Sequence, residues 1–88
     1  MIRRHVIVRG DVQGVFFRDT CRREAQSRGV TGWVRNRSDG AVDAVFEGEP
    51  DAVDAMCSWC RQGPSYARVE SVGITVREVE GSTGFEIR

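Results

Sequence analysis

An α+β sandwich, with elements in the order βαββαβ and both helices on one face of an antiparallel sheet, is predicted by three observations. Two helix-length segments carry apolar side chains at three- and four-residue spacing, and each is bracketed by β-branched runs. Gly or Pro punctuates the junctions between these segments. The 88 residues contain no Gly/Pro-rich linker, repeat or low-complexity stretch that would divide them. The order is the split βαβ arrangement of ferredoxin-like folds, and one domain over residues 1–88 is expected.

Residues 4–10 (RHVIVRG) are rich in β-branched side chains and end in glycine, which reads as a strand running into a turn. A helix is predicted over 17–28. Phe17, Cys21 and Ala25 form its apolar stripe, and Gly29 supplies the stop. VTGWVRNR (30–37) and AVDAVFEG (41–48) are strand-like and joined through Ser38, Asp39 and Gly40, a tight-hairpin signal. Glu49 and Pro50 open a second helix over 51–62, with Val53, Met56, Cys57 and Cys60 on one face and Gly63-Pro64 at its end. A long strand, ARVESVGITVREV (67–79), follows. After a turn at 81–84, FEIR (85–88) reads as a short closing strand.

Composition narrows the function classes. The formal charge is zero, so no global field gathers nucleic acid or an anionic membrane, and an anion must be held by local geometry. All 13 basic residues are arginine, the side chain suited to bidentate phosphate recognition. The apolar stretch of MIRRHVIVRG is too short for a signal-peptide core, no run reaches membrane-spanning length, and the three cysteines are too few and odd in number for a disulfide framework. A cytoplasmic protein is expected.

The segment GDVQGVFFR (10–18) carries the chemistry. Gly10 and Gly14 permit positive φ and close backbone approach, so the loop can aim several N–H groups at one anion. The helix behind it adds unpaired first-turn amides and its positive dipole end. The amides expected to face the anion are those of Val12, Gln13, Gly14, Val15, Phe16 and Phe17. Arg18 sits in the first helical turn, where a cation opposes the dipole at a cost of about 0.3–1 kcal/mol. A bound phosphate would compensate for it; so, more plainly, would Asp19. The Gly-Lys-Ser/Thr ending of a nucleotide-binding P-loop is missing.

G-x-V-Q-G-V-x-F-R at Gly10–Arg18 and G-W-V-R-N at Gly32–Asn36, taken together, resemble the two signature segments of acylphosphatases. The tryptophan-containing second helix, the Gly63-Pro64 break, Ala67-Arg68-Val69 and the Gly84-Phe85-Glu86-Ile87 ending extend the resemblance over essentially the whole chain. The resemblance implies a ferredoxin-like fold that hydrolyses the carboxyl-phosphate bond, with Arg18 binding the phosphoryl oxygens and Asn36 holding the attacking water. Asp11 departs from the pattern by placing a carboxylate in the loop. Arg28 departs from it where an apolar residue is usual, and could lay its methylenes on the core edge.

The chemistry fits the residue inventory. A carboxylate is a good leaving group, so hydrolysis needs charge stabilisation and a placed water more than a strong acid. Asn36 can accept a hydrogen bond from water and donate another, though it is no base; alone, it could equally support the adjoining hairpin. No cysteine is followed by an arginine at the spacing of cysteine-dependent phosphatases, and no Asp-x-Asp pair is present. No metal or cofactor is expected: His5 has no Cys or carboxylate companion at ligand spacing, and Cys57 and Cys60 share a helical stripe with Val53 and Met56. Trp33 is expected on the uncovered sheet face and Trp59 in edge packing. The expected ligand is a small acyl phosphate or inorganic phosphate, bound by a monomer without nucleic-acid or membrane partners. A noncatalytic acyl- or carbamoyl-phosphate-binding module is the alternative.

Overall fold

Alternation along the strands decides which way each side chain faces. The computed structural model describes residues 1–88. Its elements are β1 (Ile2–Asp11), α1 (Phe17–Ser27), β2 (Thr31–Asn36), β3 (Val42–Gly48), α2 (Pro50–Gln62), β4 (Arg68–Arg77) and β5 (Phe85–Ile87). Val6 and Val8 of β1, Val34 of β2, and Val42, Ala44 and Phe46 of β3 point to one side. There they meet Phe17, Cys21 and Ala25 of α1 and Val53, Met56, Cys57 and Cys60 of α2 in one buried cluster. Both apolar stripes predicted from helical spacing are the faces that pack. Trp59, off the main stripe of α2, rests with its ring centroid 5.1 Å from that of Phe17, joining α2 to the first turn of α1.

The sheet order is β4-β1-β3-β2-β5. β1 runs antiparallel to β3 and β4, and β2 antiparallel to β3. The expectation of a wholly antiparallel sheet is corrected at one edge: β5 lies parallel to β2, pairing Gly32 with Phe85 and Val34 with Ile87. The cause is the route of the chain. β4 occupies the opposite edge, so the segment after it crosses the sheet before β5 pairs. The reversal that would make a hairpin beside β4 gives a parallel strand beside β2. Elements otherwise match the predicted ones apart from their ends. β1 begins two residues earlier than read, because Ile2 and Arg3 pair with Gly48 and Glu47. Arg28 caps α1 instead of extending it, its N–H donating to the carbonyl of Ala25.

The uncovered face is polar beneath its surface. The carboxylates of Asp43 and Glu47 are fully buried on β3. Glu47 accepts hydrogen bonds from Arg3 Nη1 at 3.1 Å, from the backbone N–H of Glu80 at 2.8 Å and from that of Ser82 at 2.9 Å. These last two bonds hold the crossing segment down on the sheet. Asp43 accepts from His5 Nε2 at 2.9 Å and Arg35 Nε at 2.8 Å. His5 therefore has a carboxylate companion, contrary to the expectation from spacing. The companion comes from the neighbouring strand, 38 residues away.

Candidate active site

β1 delivers the loop. A bulge between Arg9 and Gly10 turns the strand end, and pairing continues to Asp11. Gly10, expected in the concave loop, lies within β1, where its positive φ and the backbone of Arg68 leave no room for a side chain. The loop proper starts at Val12, and its ends are nailed into the core by the buried side chains of Val12 and Phe17. Between them Gly14 and Phe16 both take positive φ, 73° and 63°.

α1 then begins without a side-chain cap. Phe16 at the N-cap offers no oxygen, and the first helical bond in the ladder is Thr20 N–H to the carbonyl of Phe16. Helices commonly begin at Ser, Thr, Asp or Asn, whose side chains satisfy a first-turn amide. Here those donors remain free at a cavity of about 310 Å³ lined by Val12, Gly14, Phe16, Phe17, Arg18, Asp19, Asn36 and Ile87. Of the loop residues expected to face an anion, Val12, Gly14, Phe16 and Phe17 line this cavity. Gln13 and Val15 do not, and Val15 packs against the core instead.

Arg18 makes no ion pair and no side-chain hydrogen bond within the protein. The Asp19 carboxylate, though in the same helical turn, makes no ion pair with Arg18; it is held by Arg22 and Arg23, each at 3.2 Å. Asn36 reaches the same cavity from β2. It lies two residues beyond Val34, so alternation turns it toward the helix side. Its Oδ1 is buried and has no hydrogen-bond partner, a condition that costs about 1–3 kcal/mol unless a ligand or water fills the gap. An uncapped helix, an unpaired guanidinium and an unpaired acceptor thus line one cleft.

A larger cavity, about 420 Å³, lies on the uncovered sheet face among Arg3, His5, Trp33, Arg35, Arg77 and Arg88. Its arginines are mostly spoken for. Arg3 pairs with Glu47 and Glu80, Arg35 with Asp43 and Arg88 with Glu86. Trp33, on this face as expected, has the guanidinium groups of Arg35 and Arg88 over its ring, 5.2 and 5.1 Å from the centroid. Arg77 there has no ion pair, so an unpaired cation alone does not mark a site; the smaller cavity differs in joining one to an uncapped helix start and a buried, unpartnered acceptor.

Sequence reading missed one contributor to the cleft, Ile87, and the side-chain role of another, Gln13, which it placed there only through its backbone amide. Ile87 lines it from β5, on the same side as Phe85 two residues before it. Gln13 braces it from behind, donating from Nε2 to the carbonyls of Arg37 at 2.7 Å and Ala41 at 2.9 Å. These bonds lock the loop to the hairpin that carries Asn36. Gln13→Ala is expected to lower kcat about tenfold, because misplacing either half of such a site is costly, while thermal stability falls by only about 1–2 kcal/mol. Steady-state kinetics beside a thermal melt would separate the two, and a loss of stability with full kcat would remove the positioning role.

The chain matches the acylphosphatase family model over residues 4–87. It belongs to the acylphosphatase family. An acylphosphatase of Rubrobacter xylanophilus is 55% identical over 84 residues, covering 94% of this chain and 76% of that one. The crystal structure of an acylphosphatase from Bacillus subtilis superposes with a TM-score of 0.96 at 36% identity, over 100% of this chain and 99% of that chain. The same fold occurs within full-length HypF, whose structure was solved in a phosphate- and nucleotide-bound form. There the TM-score is 0.90 at 28% identity, and the match covers 99% of this chain and 12% of that one.

The departures from the acylphosphatase pattern lie outside the cleft. Asp11 ends β1 exposed, paired in register with Arg68, and does not line the cavity. Arg28 is half-exposed with its head 3.5 Å from Glu24. The thiols of this acylphosphatase are inert packing groups. Burial pushes Cys21, Cys57 and Cys60 all above the ordinary thiol value, so none supplies a thiolate. No helix is long and apolar enough to cross a membrane.

Proposed function

We propose that residues 1–88 form one acylphosphatase unit that hydrolyses the carboxyl-phosphate bond of small acyl phosphates by direct attack of water, without a metal. The observation that carries this reading is the buried, unpartnered Oδ1 of Asn36 in the same cleft as the unpaired Arg18 and the uncapped start of α1. The amides of the cleft-lining loop residues Val12, Gly14, Phe16 and Phe17 and the planar fork of Arg18 take the phosphoryl oxygens and spread their charge. Asn36 Oδ1 accepts a hydrogen bond from water and holds it against phosphorus. The water oxygen forms the new P–O bond, the bond to the acyl oxygen breaks, and its electron pair leaves with the carboxylate. Asn36 is no base, so the water proton passes to a phosphoryl oxygen of the substrate.

The noncatalytic binding alternative leaves the buried Oδ1 of Asn36 without a task, since a phosphate anion needs donors and could engage only the Nδ2 side of that amide. Zero formal charge argues against nucleic acid as a partner. Three buried thiols with no disulfide suit a reducing cytoplasm, and the cleft is completed by residues of one chain, as a monomer requires. The test is hydrolysis of acetyl phosphate with a chelator present, by the wild type and Asn36→Ala. The wild type should turn over well above the spontaneous rate, with the variant losing about 10²-fold in kcat and little in KM. Spontaneous-rate hydrolysis by the wild type would reject the activity, and a loss confined to KM would make Asn36 a substrate-binding group.

A further inference from the structure

Phe16 is the one residue other than glycine with positive φ. That conformation is unfavourable for a bulky side chain, and the backbone geometry alone would be better served by Gly or Asn. Core packing does not explain the residue either, because its ring is 69% exposed. Phe16 borders the cleft on one side. On another it meets Tyr66, itself 74% exposed, with ring centroids 6.2 Å apart and planes tilted by 54°. A strained backbone position thus carries a large apolar ring to the mouth of the site and braces it there with a second ring.

The other apolar residues of the cleft narrow its role. Val12 and Phe17 are sunk in the core, so the apolar surface that a bound molecule can meet belongs to Phe16 and to Ile87, 36% exposed. Under the acylphosphatase reading, on which this inference rests, the loop amides and Arg18 hold the phosphoryl group, and the acyl remainder must extend from them to the mouth. We propose that Phe16, braced by Tyr66 and aided by Ile87, is the acyl-group subsite, and that it selects flat, apolar acyl phosphates over short aliphatic ones. A ring held edge-on or offset against Phe16 gains stacking as well as burial. An acetyl group is too small to reach both walls.

The experiment compares kcat/KM for benzoyl phosphate and acetyl phosphate in the wild type, Phe16→Asn and Tyr66→Ala. Asparagine tolerates the left-handed conformation, and the benzoyl-to-acetyl ratio cancels any common damage to the phosphate cradle. The ratio should fall by about tenfold in Phe16→Asn and by about threefold in Tyr66→Ala, through a higher KM for the benzoyl substrate. An unchanged ratio in Phe16→Asn would overturn the subsite even if both rates dropped. Should Phe16→Asn fail to fold, the Tyr66→Ala ratio decides: a value equal to the wild type overturns the proposal. If the wild type hydrolyses neither substrate, the acylphosphatase reading fails, and the subsite with it.

Discussion

Arg18→Lys is expected to lower kcat/KM for acetyl phosphate by about 10²- to 10³-fold, with Arg18→Ala at least as severe. Lysine keeps the charge but presents a point donor on a flexible stem, whereas the guanidinium offers two parallel N–H groups to two phosphoryl oxygens. The effect should be near the upper end because Arg18 has no competing partner in the protein: Asp19 is occupied by Arg22 and Arg23. The same isolation predicts an opposite effect on stability. A cation in the first turn of α1 works against the helix dipole, so Arg18→Ala should leave the melting temperature unchanged or raise it, by a free energy of about 0.3–1 kcal/mol. Kinetics and a thermal melt on one preparation check both halves. A near-wild-type lysine variant would remove the bidentate fork, and a destabilised alanine variant would mean that Arg18 has a structural duty.

The sequence disclosed the cleft unevenly, for physical reasons. Arg18 and the loop before it were legible because a glycine turn feeding a helix is a local feature, and local sequence sets local backbone. The two helices were legible through side chains four apart, Phe17, Cys21 and Ala25 among them. Asn36 needed the resemblance: its residue type fits any hairpin, and only the fold shows its Oδ1 buried and unpartnered. Gly10 was assigned to the loop because a glycine after a strand looks like a turn, yet its positive φ serves a bulge. The direction of β5 was beyond reading. A strand of three residues carries no orientation signal, and the bonds that hold its approach come from Glu47, far back in β3. The charged network of the uncovered face was hidden likewise. Asp43 and Glu47 sit in a strand pattern as ordinary outward positions, and their partners at 3, 5, 35, 80 and 82 meet only across strands.

Glu47→Gln is expected to destabilise the fold by about 3–5 kcal/mol, because it breaks a buried ion pair by removing one member. A chain of this size has only about 5–13 kcal/mol of stability in all. The Glu47 side chain is fully buried and that of Arg3 is 8% exposed, with 3.1 Å between them. The remaining partner of Arg3, Glu80, lies in solvent at 3.6 Å. Glutamine also loses an acceptor, so at least one backbone N–H holding the crossing segment becomes unpaired. The loss should depend on pH in a defined direction. The N–H of Glu80 holds the Glu47 carboxyl below the usual carboxylate range, opposed by burial and assisted by Arg3 and Ser82. Asp43 is also held low: burial pushes it up, but hydrogen bonds from Arg35 and His5 outweigh it. A depressed carboxyl contributes its stability above its unfolded value, about 4.3 for Glu, and loses it as pH falls through the folded value. Wild type and Glu47→Gln should therefore differ most at neutral pH and converge as the medium is acidified below about pH 4. Urea unfolding across that range measures the convergence. A constant difference down to the lowest pH would mean that Glu47 acts through shape and not charge. The network lies across the sheet from the cleft, so the folded fraction of the variant should keep its kcat at neutral pH, and a loss of kcat there would tie the crossing segment to the placement of Ile87.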